Sequence, residues 1–356
     1  MRFSLVIILC LVLSGSIAQK KNYAKEINAA KDSVQRLMKA NSIPGLSITV
    51  TVNGATVWAE GFGYADLEQK VRIDPGKTKF RIGSISKSLT AAGLGRLYEQ
   101  GKIQLDSSIY YYLPDYPKLK YRPTLRQVAG HIAGIRHYRG SEFMISEHYL
   151  SVTDALKIFN SDSLLFKPGT KYQYSSYGFN LLSAVMEKAS GKGFLNLMKE
   201  SVFMPLQMNN TMPDLIDSLI DSRTRFYMIS EKHLRNAPFV DNSYKWAGGG
   251  FISTSNDLSV FGNALLKNTF LKEETVSLLT TSQKLTDGKP TEYGIGFGSE
   301  NDKAGRKYFG HSGGSVGGTS DMVIYPNEKV VVVILTNLSS ARLGDLSNRV
   351  ARLFMN

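Results

Sequence analysis

Ser84 and Lys87 stand three residues apart, where a strand-like run, "KFRI", gives way through Gly83 to a helical pattern that continues to Gln100. Residues i and i+3 share one face of a helix. A serine hydroxyl is a poor nucleophile until a base takes its proton, and an amine can be that base once it has lost its own. Free lysine titrates near pH ~10.4, so the task requires burial or cationic neighbours. The surroundings of Lys87 in "FRIGSISKSLTAAGLG" (Phe80 to Gly95) are mostly apolar or small, which suits desolvation. The unpaired N–H groups of the first helical turn, including that of Ser84, are free to bind a developing oxyanion. On spacing alone, however, the ordinary reading leads: Ser84 as an N-cap and Lys87 as a solvated helix residue. By the same standard Tyr174 reads as a core aromatic and "HSGG" (His311 to Gly314) as a glycine-rich turn.

The elements that must position these residues come from both ends of the chain. Ala24 to Lys39 carries apolar residues at helical spacing (Ile27, Val34, Leu37, Met38) and ends at Pro44-Gly45. "LSITVTVNGATVWAEGFGYAD" reads as a β-hairpin around Asn53-Gly54, a strong type I′ turn signal. "TSDMVIYPNEKVVVVILTN" reads as a second hairpin turning at Pro326-Asn327. A last helix follows in "GDLSNRVARLFM", with Leu346, Val350 and Leu353 on one stripe. Short turns favour antiparallel pairing. The expected fold class is therefore α+β: an antiparallel sheet flanked by terminal helices, with a mainly helical subdomain inserted. The sheet part spans about 24–90 and 240–356, the helical part about 91–239, and a crevice between them is the natural site.

Composition narrows the function classes. The chain has 356 residues, 42% hydrophobic and 21% charged, enough for an ordinary core. "MRFSLVIILCLVLSGSIAQKK" reads as a secretory signal peptide over residues 1–18, with Arg2 as its positive end and small residues Ser16 to Ala18 before the cut. Its apolar run is shorter than the ~20 residues that cross a bilayer, so no stable membrane span is expected after cleavage. Leu9 is too bulky to precede a lipidated Cys10. Cleavage removes Cys10, the one cysteine, and lowers the formal charge from +13 to +12. That charge suggests attraction to anionic envelope surfaces. Nucleic acid is not an expected partner, because the densest basic stretch, "KLKYRPTLR", is modest. His131, His137 and His148 lack metal-site spacing, so no metal and no cofactor are expected. His131 in "GHIAGI" reads as a residue that orders the loop after a helix. Asp257 after Thr254 reads as a capping box. Trp246 and Gly248 to Gly250 fit either a pocket mouth or close packing of helix on sheet. Asn209-Asn210-Thr211 and Asn337-Leu338-Ser339 match a glycan acceptor, relevant only in a eukaryotic secretory setting.

"SISK" (Ser84 to Lys87), "YSS" (Tyr174 to Ser176) and "HSGG" (His311 to Gly314) come in the order and approximate spacing of the serine β-lactamase-like superfamily. That group includes class C β-lactamases, D-alanyl-D-alanine carboxypeptidases, esterases and D-amino-acid peptidases. The resemblance covers about Ile43 to Asn337. The intervening blocks "VWAEGFGYAD", "GHIAGIRHY", "FKPGTKYQYSSYGFNLL" and "KWAGGGFISTSNDL" also look like the family's. "GIRHY" and "VDNSYKWAGGGF" resemble especially the mitochondrial serine β-lactamase-like proteins of animals. The resemblance implies a β-lactamase/transpeptidase-like fold. It makes Ser84 the acylated nucleophile, Lys87 the group that takes or relays its proton, and Tyr174 the phenol that helps pass it to the leaving group. The N–H groups of Ser84 and Gly314 become the oxyanion hole. Gly313 and Gly314 let a strand pass close to substrate.

Two departures bear on substrate. Where class C enzymes have an asparagine that contacts the substrate amide, this chain has Ser176. Where they have Lys-Thr-Gly, it has His311-Ser312-Gly313. Neutral histidine anchors a carboxylate less well than lysine, but can donate a hydrogen bond or assist proton transfer. The expected function is a serine hydrolase that acylates on Ser84 and cleaves a small-molecule or peptide substrate at an amide or ester, with cell-wall fragments as one source. A true β-lactamase and a non-hydrolytic penicillin- or peptidoglycan-binding envelope protein are the alternatives. The signal peptide implies a secreted or periplasmic location.

Overall fold

The computed structural model describes residues 22–355; the signal-peptide reading lies outside them. Helix α1 (Ala24–Asn41) leads into strands β1 (Gly45–Val52) and β2 (Ala55–Asp66), joined at Asn53 (φ 52°) and Gly54 (φ 77°). Both turn residues have the positive φ that a type I′ turn demands. After the short β3 (Val71–Arg72) and β4 (Phe80–Arg81), helix α2 (Ile85–Glu99) begins. The middle of the chain contributes α3 (Ser176–Ser190) and the short strand β5 (Met212–Pro213). Then come β6 (Phe251–Ser253), α4 (Ser255–Leu266), and strands β7 (Gly298–Asn301), β8 (Lys307–Ser315), β9 (Gly318–Tyr325) and β10 (Val330–Thr336). Helix α5 (Leu346–Phe354) follows.

Seven strands form one antiparallel sheet in the order β3-β2-β1-β10-β9-β8-β7. The two ends of the chain meet at its centre, where Leu46 pairs with Thr336 and Val52 with Val330. The fold is thus the expected α+β architecture, a large antiparallel sheet with helices. A second, three-stranded sheet, β4-β6-β5, ties the segment before α2 to the segment before α4.

Period-2 alternation divides β1 between two cores. Leu46, Ile48 and Val50 join α1 and α5 (Ala30, Val34, Val350, Phe354) on one face of the sheet. Ser47, Thr49 and Thr51, the polar half of that alternation, are all buried beneath α4. Their hydroxyls bond Ser255 Oγ (2.7 and 2.8 Å), Asn256 Oδ1 (2.8 Å) and Asn263 Oδ1 (2.8 Å). Pairing every hydroxyl keeps the desolvation cost of this interface low. Thr254 caps α4 by accepting from Asp257 N–H at 3.1 Å. The Asp257 carboxylate turns to Asn210 N–H (2.8 Å) and Thr211 Oγ1 (2.9 Å), so it fastens β5's approach to α4 rather than serving only its own helix end.

Helix α2 is central to the larger core: twelve of its residues from Ile85 to Leu97 are buried, polar ones included. It is apolar or small nearly all round, as a helix enclosed on every side must be. It carries Ser84 and Lys87 into the interior between the sheet and α3.

Candidate active site

Gly83 sets up the start of α2 with φ 49°, a left-handed conformation glycine adopts without penalty. A Cβ there would meet Gly314 N at 2.7 Å, Gly314 C at 2.8 Å and Gly314 O at 2.6 Å. The backbone of β8 therefore lies directly against the turn that presents Ser84, and Ser84 and Gly314 line one cavity. The two glycines of "HSGG" do different jobs. A Cβ on Gly314 meets nothing within 4 Å and would project into the cleft, whereas one on Gly313 would strike Ile82 O at 2.1 Å. Gly313 packs β8 against the backbone of Ile82, while the space beside Gly314 is open.

Ser84 occupies the N-cap position of α2, but its side chain makes no capping bond. Its hydroxyl instead lies 3.0 Å from Lys87 Nζ and accepts from Tyr174 OH at 2.8 Å. Lys87 is fully buried. Its Nζ also contacts Gly248 O (2.5 Å) and Ser176 Oγ (3.0 Å), and lies 4.9 Å from the centre of the Tyr174 ring. Burial, and then the charge of Lys245, hold its pKa well below the usual lysine range. A neutral amine has two hydrogens and one lone pair. The carbonyl of Gly248 must take one hydrogen and Ser176 can take the other, which leaves the lone pair facing the Ser84 hydroxyl.

Tyr174 immediately precedes α3, whose N-cap Ser175 accepts from Gly178 N–H at 3.1 Å and donates to Arg136 O at 2.6 Å. Two histidines grip the same turn. His131 Nδ1 accepts from Ser175 N–H (3.2 Å), and His137 Nδ1 accepts from Ser176 N–H (3.1 Å). His131, in the left-handed region at φ 60°, packs its ring 4.4 Å from that of Tyr174. It orders the loop, as its place in "GHIAGI" suggests. Burial pushes the Tyr174 phenol well above its ordinary pKa, against the weaker pull of its bond to Ser84. The phenol is therefore a proton carrier rather than a phenolate base in the free protein.

His311 faces the Tyr174 ring at 6.1 Å, with both nitrogens engaged. Nδ1 meets Ser312 O at 2.5 Å and Nε2 meets Tyr293 OH at 2.9 Å. A carbonyl can only accept, so Nδ1 carries the proton and Nε2 accepts from the tyrosine. Burial and the charge of Lys87 push the imidazole down to about 3, so it is neutral. Ser312 is exposed on the same strand. Beyond Gly310, where β7 stops pairing, β8 borders a groove of about 700 Å³ lined by Tyr172, Tyr293, Glu300 and Asp321 among others.

On the other side of Ser84 lies a smaller cavity of about 220 Å³, lined by Ser84, His137, Tyr138, Phe143, Ser176, Lys245, Gly248, Gly249 and Gly314. Sequence reasoning did not single out Lys245 or His137 for this place. Their one signal is position within "KWAGGGF" and "GIRHY", whose glycines and loop residues turn out to wall the cleft. The glycine run both packs and lines: a Cβ on Gly248 would meet Ser176 O at 3.0 Å. Among the described residues no cluster of histidine, cysteine, aspartate or glutamate is placed to hold a metal ion.

The sequence profile of the Beta-lactamase family matches residues 30–354. The chain is 31% identical to the human protein "Serine beta-lactamase-like protein LACTB, mitochondrial", covering 92% of this chain and 80% of that one. It is 26% identical to a D-aminopeptidase of Gluconobacter oxydans, over 84% of this chain and 56% of the other. Among solved structures, the octameric penicillin-binding protein homologue from Pyrococcus abyssi superposes with a TM-score of 0.76 at 25% identity, covering 88% of this chain and 74% of that chain. With its fold, its ordered motifs and this family match in agreement, the chain belongs to the beta-lactamase family of serine hydrolases.

Proposed function

We propose that the protein is an acyl-transferring serine hydrolase that cleaves a peptide or ester bond through an acyl-enzyme on Ser84. The observation that carries this is the uncapped Ser84 hydroxyl held 3.0 Å from a buried lysine amine and 2.8 Å from a buried phenol. Lys87 takes the serine proton as Oγ attacks the scissile carbonyl. The N–H groups of Ser84 and Gly314 receive the oxyanion, a contribution of about 3–4 kcal/mol per donor in comparable sites. Tyr174 gives its proton to the leaving nitrogen or oxygen, and the Lys87 ammonium replaces it. Water then repeats the sequence in reverse on the acyl-enzyme.

A peptide or ester is favoured over a β-lactam because a neutral His311, with both nitrogens occupied, offers no fixed cation on the β8 strand. The D-aminopeptidase among the relatives supports an amide substrate. The export reading of residues 1–18 stands as part of this proposal. It is tested by sequencing the N-terminus of the protein recovered outside the cytoplasm; a retained Met1 overturns it. For the chemistry, hydrolysis of a panel of 4-nitrophenyl esters and peptide anilides is compared between the wild type and Ser84→Ala. Turnover that disappears with the hydroxyl supports the proposal, and turnover that survives overturns it.

A further inference from the structure

The amine of Lys245 is buried without a hydrogen bond, in a residue only 2% exposed. The rings of Phe143 (4.4 Å), Tyr244 (5.0 Å) and Tyr138 (5.8 Å) surround it. The nearby carboxylate, Asp214, is already committed to Arg81 Nε (2.6 Å), Arg223 (3.2 Å) and Asn242 Nδ2 (2.9 Å). Desolvating an ammonium without a counter-charge is expensive, and burial accordingly lowers the Lys245 pKa to about 7; a carboxylate brought beside it would restore the full charge.

The rest of the small cavity points the same way. His137 Nδ1 accepts a backbone N–H, so in the neutral ring Nε2 must carry the proton. Burial and the charge of Lys87 lower its pKa to about 4, which keeps that tautomer over the working range. Half-exposed His137 therefore presents an N–H donor. The Ser84 and Gly314 amides add two more, and none of the nine lining residues is an aspartate or glutamate. The large groove beside Tyr174 has the opposite character. Glu292, Glu300 and Asp321 line it, and no lysine or arginine does.

We propose that this cavity is the acyl pocket and that it selects acyl groups bearing a carboxylate, which His137 Nε2–H binds directly and Lys245 attracts from beneath the Phe143 ring. The cation that other members of the superfamily carry on the β8 strand is replaced by one across the nucleophile. The inference rests on acylation at Ser84, and it adds the class of acyl group that is transferred.

The test compares two esters of one leaving group: 4-nitrophenyl hydrogen glutarate, whose acyl chain ends in a carboxylate, and 4-nitrophenyl pentanoate, its neutral counterpart. A hydrogen bond to a charged group contributes about 1.5–3 kcal/mol, so the wild type is expected to favour the acidic ester roughly 10- to 100-fold in kcat/KM. Lys245→Met should bring that ratio close to 1, and Lys245→Arg should retain most of it. A wild-type ratio of 1 or below overturns the inference without recourse to any variant, as does a ratio undiminished in folded Lys245→Met protein. Labelling of Ser84 by a fluorophosphonate separates the two levels: labelled enzyme without acid preference removes the acyl-pocket inference alone. If no ester is turned over, millimolar glutarate should still raise the melting temperature of the wild type and not that of Lys245→Met. No such shift overturns the pocket independently of catalysis.

Discussion

The amine of Lys87 sits 3.0 Å from the hydroxyl of Ser84, and that hydroxyl makes no bond to the helix it begins. An N-cap serine ordinarily spends its oxygen on the backbone of its own first turn, a bond worth about 1 kcal/mol. Here the oxygen is turned away, toward a lysine and a tyrosine drawn from α2 and the start of α3. Removing the amine therefore separates chemistry from folding. Lys87→Ala is expected to lower kcat/KM by about 10²- to 10⁴-fold, the usual worth of a general base, while thermal unfolding remains a single cooperative transition. Steady-state kinetics beside a melting curve check both halves.

The backbone contact behind the oxyanion site makes Gly83 a second point of attack. Alanine there must hold φ near 49° and must displace the Gly314 backbone from within 2.8 Å of the new Cβ. Gly83→Ala should cost about 1–3 kcal/mol in stability from the strained backbone. It should also cost about 10²- to 10³-fold in kcat, because the two N–H groups no longer converge. Chemical denaturation and kcat on one ester measure the two effects separately.

Lys245 should be visible in the pH dependence of stability. Burial, with the charge of Arg81, lowers its pKa to about 7, partly offset by Asp214. The unfolded chain holds that proton up to about 10.4, so between these values the unfolded state binds more protons than the native state. Stability then rises with pH across the window from about 7 to 10.4, and falls as pH drops back toward 7. Lys87, depressed in the same sense, adds to the slope. Denaturant midpoints at pH 7, 8, 9 and 10 should climb more steeply for the wild type than for Lys245→Met. Parallel curves would contradict a depressed Lys245.

His311→Lys tests why the lactamase reaction is disfavoured. The substitution frees Tyr293 OH and puts a cation at the edge of β8. Acylation of Ser84 by a carboxylate-bearing β-lactam should quicken by about tenfold, the effect of ~1.4 kcal/mol. Stopped-flow acylation rates of wild type and variant decide it, and an unchanged rate removes missing charge as the explanation.

Much of the scaffold was legible in the chain because its signals are local. Asn53-Gly54 marks one hairpin, Val330 to Thr336 is too apolar for any strand but a central one, and Leu346 with Val350 fixes the inward face of α5. The misleading parts are long-range. Ser47, Thr49 and Thr51 alternate like a wet sheet face, but α4, two hundred residues away, covers them with matching hydroxyl and amide groups. Gly313 and Gly314 look equivalent in sequence, and only the arrival of Ile82 O beside one of them distinguishes packing from access. Lys245 carries no motif of its own. Its meaning depends on Asp214 being already occupied by Arg81, Arg223 and Asn242, a fact about three distant segments. The Ser84, Lys87 and Tyr174 constellation was legible only through its order along the chain, since each residue alone reads as an ordinary cap, surface lysine or core aromatic.

The covalent intermediate is the centre of the account, and intact-protein mass spectrometry observes it most directly. Rapid quenching during turnover of an activated ester should reveal one added acyl mass, mapped by proteolysis to the peptide containing Ser84, which decays as substrate is exhausted and is absent from Ser84→Ala protein. Steady turnover with no adduct at any quench time, or an adduct mapped to another residue, would contradict it.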